Sequence, residues 1–88
     1  MELSELRKEI DAVDRQIIDL FCRRMEISEH IGNYKREHGL AVYDPIREAQ
    51  KLEAIAQSAP SEMSEYLKRL YSLLFALSKE YQSEKQEK

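Results

Sequence analysis

Arg24 stands where a helix would ordinarily bury a leucine. Apolar residues recur at three- and four-residue steps through Leu3, Leu6, Ile10, Val13, Ile17 and Leu20. They resume at Ile27, Ile31 and Tyr34, and Arg24 falls between the two runs. A seam of that period is the face a helix buries. A guanidinium buried there without a partner is costly, so it must meet an anion. Lys35 follows eleven residues later, about three turns on and within roughly 20° of the same face. Two cations on one inward face describe a pocket for a small, multiply charged acid. On periodicity alone Arg24 has two readings, ligand binding and an internal salt bridge, and Arg23 with Arg24 could be a surface pair. Lys35 taken alone reads as solvent-exposed.

Two further clusters sharpen the pocket. Asp44-Pro45-Ile46-Arg47-Glu48 sets an acid, an arginine and a second acid within one turn of a helix start, where backbone N–H groups are free. Ser78 and Gln82 are four apart on one helical face, and Ser78 replaces an apolar residue on the seam Leu67, Tyr71, Leu74. Polar residues that displace apolar ones on two helices are expected to face each other.

Other reactive residue types lack partners. His30 and His38 have no second His or Cys at metal-ligand spacing and read as surface residues. Cys22 has no His, Asn or Gly context of a nucleophile and reads as a small apolar filler. There is no Gly-rich phosphate loop and no Ser-His-Asp set. Asp11, Asp14 and Asp19 are expected to face solvent and pair with neighbouring basic residues along the helix. Gly32 has two readings, close backbone packing and a ligand approaching the bare backbone.

The elements that must hold these residues are helices. Leu3 to about His38 reads as one helix of about 35 residues, with Gly39 placed to end it. Asp44-Pro45 reads as an N-cap followed by proline at the first helical position. The second helix runs from about Pro45 to Gln57 with Ile46, Ala49, Leu52, Ile55 and Ala56 inward. The third runs from about Glu62 to Ser83, with Ser61 as N-cap and Tyr66, Leu67, Leu70, Tyr71, Leu74, Leu77 and Tyr81 as its apolar set. No segment has the alternating period of a strand. Glu84, Lys85, Glu87 and Lys88 read as a solvated, frayed tail.

Composition limits the function. Eighty-eight residues fit one domain, residues 1–88, with a thin core. Charged residues make up 35% of the chain, but the net charge of -3 does not suggest nucleic-acid binding. One cysteine rules out an internal disulfide, and no apolar stretch approaches a membrane span, so a cytoplasmic location is the default expectation. The first helix is too long for the other two to cover. Its seam therefore predicts a symmetric homodimer of long helices packed antiparallel.

The ordered set of residues is similar to the chorismate mutase family of the small all-α type. The match starts at Leu6-Arg7-Lys8-Glu9-Ile10 and Asp14, passes through Arg23-Arg24, Ile31-Gly32 and Lys35, and takes in Asp44-Pro45-Ile46-Arg47-Glu48. It ends at Ser78 and Gln82. The resemblance implies an intertwined helical homodimer that rearranges chorismate to prephenate, on the route to phenylalanine and tyrosine. It implies no metal and no cofactor. By the same resemblance Arg24 binds a substrate carboxylate, and Arg7 reaches into the partner's pocket to bind carboxylate. Lys35 contacts the ether oxygen and a carboxylate, and Gln82 is the second donor to that oxygen. Glu48, with the backbone at Asp44, holds the ring hydroxyl. Ser78 lies near a ring carboxylate, and Arg47 is a further pocket arginine. Spacing supports a shared site independently. Arg7 and Lys35 are 28 residues apart on one helix, or roughly 42 Å, so one small ligand meets both only if they come from different chains.

Three alternatives stand beside this reading. Isochorismate pyruvate-lyase relatives share the fold and the substrate charges, and the acid at Glu48 favours the mutase over them. A regulatory chorismate- or prephenate-binding module of another shikimate-pathway enzyme is the second. The sequence ends near Lys88 with no second domain, as expected of a free-standing enzyme or of a piece cut from a larger protein. A plain helical dimerisation module is the third, and it leaves Arg24, Ser78 and Gln82 unexplained.

Overall fold

Gly39, Pro45 and Pro60 mark the breaks between helices. The computed structural model describes residues 2–86. Helix α1 spans Leu3–Glu37, α2 Pro45–Ser58 and α3 Ser61–Gln86, and no strand occurs among the described residues. At about 1.5 Å per residue α1 is roughly 52 Å long, and the longest dimension of the chain is 54 Å.

The ends of the helices follow from local chemistry. Gly39 adopts φ +67°, a left-handed conformation that glycine takes without a Cβ penalty. The turn there lets Gly39 N–H bond to Arg36 O at 3.3 Å and Leu40 N–H to Lys35 O at 2.7 Å, which satisfies the last carbonyls of α1. Asp44 caps α2, its Oδ1 accepting the Arg47 N–H at 3.0 Å, with Pro45 at the first helical position. Ser61 is the first residue of α3 rather than its cap. Ser64 Oγ instead donates to Ala56 O at 2.8 Å and ties the start of α3 to the end of α2. Glu84 and Lys85 continue α3 instead of fraying; Glu87 and Lys88 lie outside the described residues.

Helix α3 packs against both α1 and α2 and is the element that joins them. Every residue of α1 from Leu3 to Leu20 is exposed. No apolar side chain among the described residues is buried. The buried positions are instead Ser28, Gly32, Ser78 and Gln82, so the tightest packing lies where α3 crosses the C-terminal half of α1. On α2, Leu52, Ile55 and Ala56 are half-buried as expected, but Ile46 is 70% exposed and Ala49 is exposed. On α3, Leu67, Tyr71, Leu74, Leu77 and Tyr81 are half-buried, whereas Tyr66 and Leu70 are exposed. Cys22 is exposed rather than filling a core. These differences share a cause: none of the described residues covers the first half of α1 or the outer turn of α2. An apolar groove of about 440 Å³ remains open where Ile17 and Phe21 of α1 face Leu70, Leu74 and Leu77 of α3. No helix among the described residues is long and apolar enough to cross a membrane.

Candidate functional site

The buried crossing of α1 and α3 is polar. Arg24 Nη1 donates to Ser78 Oγ at 2.9 Å, which brings together the two polar residues that interrupt the apolar seams. Ser78 Oγ in turn lies 3.9 Å from Met25 Sδ. One turn further along α3, Gln82 Nε2 donates to Ser28 O at 2.7 Å. Gly32 makes that crossing possible. A Cβ built there would stand 3.0 Å from Gln82 Cγ and 3.3 Å from both Cβ and Cδ, so the glutamine lies along a bare stretch of helix. Close packing is therefore the role of this glycine.

A cavity of about 340 Å³ opens beside the crossing. Arg24, Ser78 and Gln82 line one side, Glu48 the α2 side, and Ile27, Ile31 and Phe75 supply apolar wall. Arg24 is half-buried, with its guanidinium carbon 5.8 Å from the Tyr71 ring centre and 5.7 Å from that of Phe75. Aromatic faces stabilise a cation modestly but do not neutralise it. Ion pairs among the described residues are Lys68–Glu65 and Lys79–Glu48, so Arg24 has no internal carboxylate partner. The internal salt bridge is removed as a reading of Arg24. Asp11, Asp14 and Asp19 are exposed, but they form none of these pairs either.

Lys35 is half-buried at the C-terminal end of α1, and its Nζ donates to Val42 O at 3.2 Å. It does not line the cavity itself; Val42, its acceptor, does. One of the three ammonium donors is used this way, leaving two free. Asp44 and Arg47 are exposed at the start of α2 and lie outside the cavity wall. Arg7 is exposed near the far end of α1, outside the cavity of its own chain. His30 and His38 are exposed, and the His38 ring stacks on Tyr34 at 3.9 Å.

Two charged cavity residues escaped the sequence reading. Lys51 lies one turn after Glu48 on α2, and Lys79 follows Ser78 on α3. Helical spacing makes 48 with 51, and 79 with 82, i,i+3 pairs on one face, a pattern that solvated lysines share. With Arg24, Lys51 and Lys79 set against the single carboxylate of Glu48, the cavity wall carries a cationic excess. It can hold a small dianion through charge-assisted hydrogen bonds without covalent chemistry.

Comparison with known proteins bears on the fold and the family. The chorismate mutase type II family profile matches residues 6–83. The fold is similar to a chorismate mutase (form II) structure from Thermus thermophilus, at a TM-score of 0.88 and 32% identity over 92% of this chain and 93% of that one. The chain is 46% identical over 52 residues to the T-protein of Haemophilus influenzae, a match covering 59% of this chain and 14% of that protein. It is 39% identical over 69 residues to the T-protein of Enterobacter agglomerans, covering 73% of this chain and 18% of that protein. The chain thus spans less than a fifth of the length of these two relatives.

Proposed function

The chain belongs to the chorismate mutase type II family, and from that premise we propose that its cationic trough rearranges chorismate to prephenate. The observation that carries this reading is the Arg24 guanidinium, half-buried, without a carboxylate partner among the described residues, and set in a cavity with Ser78 and Gln82. A dianionic substrate supplies the missing counter-charge. In this reading Arg24 binds one carboxylate, Ser78 lies beside the ring carboxylate, and Glu48 with the Asp44 backbone takes the ring hydroxyl. Arg47 adds positive charge at the α2 end. Two copies of the chain pair antiparallel, and Arg7 enters the partner's pocket to bind the remaining carboxylate.

The reaction is a one-step pericyclic rearrangement, so positioning and charge are what the protein contributes. The trough holds the enolpyruvyl arm folded over the ring. As the ether bond breaks, negative charge gathers on its oxygen. Lys35 and Gln82 donate to that oxygen. Both are anchored in advance, Lys35 on Val42 O and Gln82 on Ser28 O, and each keeps at least one free N–H. Donors fixed before charge develops need no reorganisation during the reaction. A millionfold acceleration requires about 8 kcal/mol. One oxyanion-type donor contributes around 3–4 kcal/mol, so two donors plus conformational restriction reach that scale.

The test is loss of chorismate and gain of prephenate followed spectrophotometrically, with isochorismate run alongside. The parent chain should convert chorismate, and Lys35→Ala should reduce turnover by at least about a hundredfold while circular dichroism stays helical. Turnover of isochorismate alone, or an unimpaired Lys35→Ala chain, overturns the reading.

A further inference from the structure

Glu48 creates a problem of charge. It lines the same cavity as Arg24, and a carboxylate there repels the dianion the cavity is built to hold. Lys79 meets that repulsion. Its Nζ lies 3.1 Å from Glu48 Oε2 and 3.5 Å from Oε1, so a single ammonium straddles both oxygens. The same nitrogen sits 4.2 Å from the centre of the Tyr43 ring. Lys79 comes from α3, Glu48 from the first turn of α2 and Tyr43 from the connection before it. Three segments thus converge on one nitrogen. The side chains of the pair are 35% and 26% exposed, so water screens them only in part.

Resting on the mutase reading, we propose that Lys79 is a positioning residue of the trough. Its ammonium offsets the Glu48 charge and fixes the carboxylate plane, so that Glu48 can accept a hydrogen bond from a neutral hydroxyl on a dianionic substrate without repelling that substrate. The partner separates Lys79 from Lys35. Lys35 Nζ donates to a backbone carbonyl, whereas Lys79 Nζ lies against both oxygens of Glu48 with the Tyr43 ring 4.2 Å away. A carboxylate offers about four lone-pair sites, so Glu48 keeps acceptor capacity beyond its lysine. On this proposal Lys79 acts through Glu48 and not on the substrate.

That distinction fixes the sign of a double-mutant cycle. The parent chain, Lys79→Met, Glu48→Gln and the double variant are compared by calorimetric binding of prephenate and by KM for chorismate, with helical content checked by circular dichroism. Lys79→Met should weaken binding about tenfold, because it leaves a bare carboxylate facing the dianion. In the Glu48→Gln background the same replacement should cost less than about twofold. Lys79→Arg should restore most of the loss, and Lys79→Gln is run in parallel in case the apolar side chain unsettles the helices. An equal loss in both backgrounds overturns the proposal, since Lys79 would then act on the dianion directly. Failure of the parent chain to convert chorismate overturns the mutase reading instead and leaves the prephenate cycle interpretable. No binding of prephenate by the parent chain overturns both.

Discussion

Gln82 is held by two unlike neighbours, a carbonyl that accepts from it and a glycine that makes room for it. Ser28 O takes one of its N–H groups, and Gly32 leaves the space its methylenes occupy. Gly32→Ala should therefore act on catalysis more than on stability. The new methyl would press on Gln82 Cβ, Cγ and Cδ together, and Cβ sits too close to its backbone to swing away. Alanine regains about 1 kcal/mol of helix propensity over glycine, which offsets part of the steric cost. Turnover should fall about a hundredfold, as for loss of one preorganised donor, and adding Gln82→Ala should lower it no further. Parent-like turnover in Gly32→Ala would show that Gln82 is not used as a donor. The opposition of Arg24 and Ser78 was legible in the sequence, because each interrupts an otherwise apolar period. Lys51 and Lys79 were not. A lysine facing a cavity between helices and a lysine on a solvated face have the same spacing. Only the crossing of α3 with α1 and α2 tells them apart.

At the scale of elements, the three helices and their breaks were readable because each end is a local event. Gly39 is the clearest case. Its φ of +67° is required by the hydrogen bonds that close α1, and a Cβ placed there meets no described residue within 4 Å beyond its two chain neighbours. Gly39→Ala should thus affect the backbone alone, by about 1–2 kcal/mol. That corresponds to a melting temperature lower by several degrees in a chain of this size. Gly39→Asn should lose less, since asparagine tolerates the left-handed region. A Gly39→Ala chain that melts with the parent would contradict the turn. The inward faces of the helices were read less well. Periodicity marks which side of α2 is apolar, but Ile46 and Ala49 stay exposed among the described residues. Burial is a property of the neighbour as much as of the residue.

The whole molecule raises the question of what lies against α1. Its seam from Leu3 to Leu20 is exposed, and no apolar side chain among the described residues is buried. A chain with so little enclosed apolar surface has little to set against the conformational entropy of three ordered helices. The proposed antiparallel pair supplies the missing cover and carries Arg7 to the other copy's cavity. Arg7→Ala and Lys35→Ala chains, each inactive alone, should then regain activity on mixing under conditions that exchange subunits. Each mixed pair holds one pocket with both cations intact, so recovery should approach about a quarter of parent activity if pairing is random and assembly symmetric. Demonstrated exchange without recovery would rule out the shared pocket. This level was the least legible in the sequence, since a bare seam states that something covers it and not how.

The deepest of the described residues are Ser28, Gly32, Ser78 and Gln82, and all four also build the trough's hydrogen bonds or clear its floor. Most proteins keep their anchoring residues and their reactive residues in different places. On the proposed reading they coincide here, so a change made for sturdiness at this crossing also reaches the groups that act. An engineer seeking a hardier variant would have to work at the periphery, on the outer turns of α2 and the exposed flanks of α3, and leave the middle untouched.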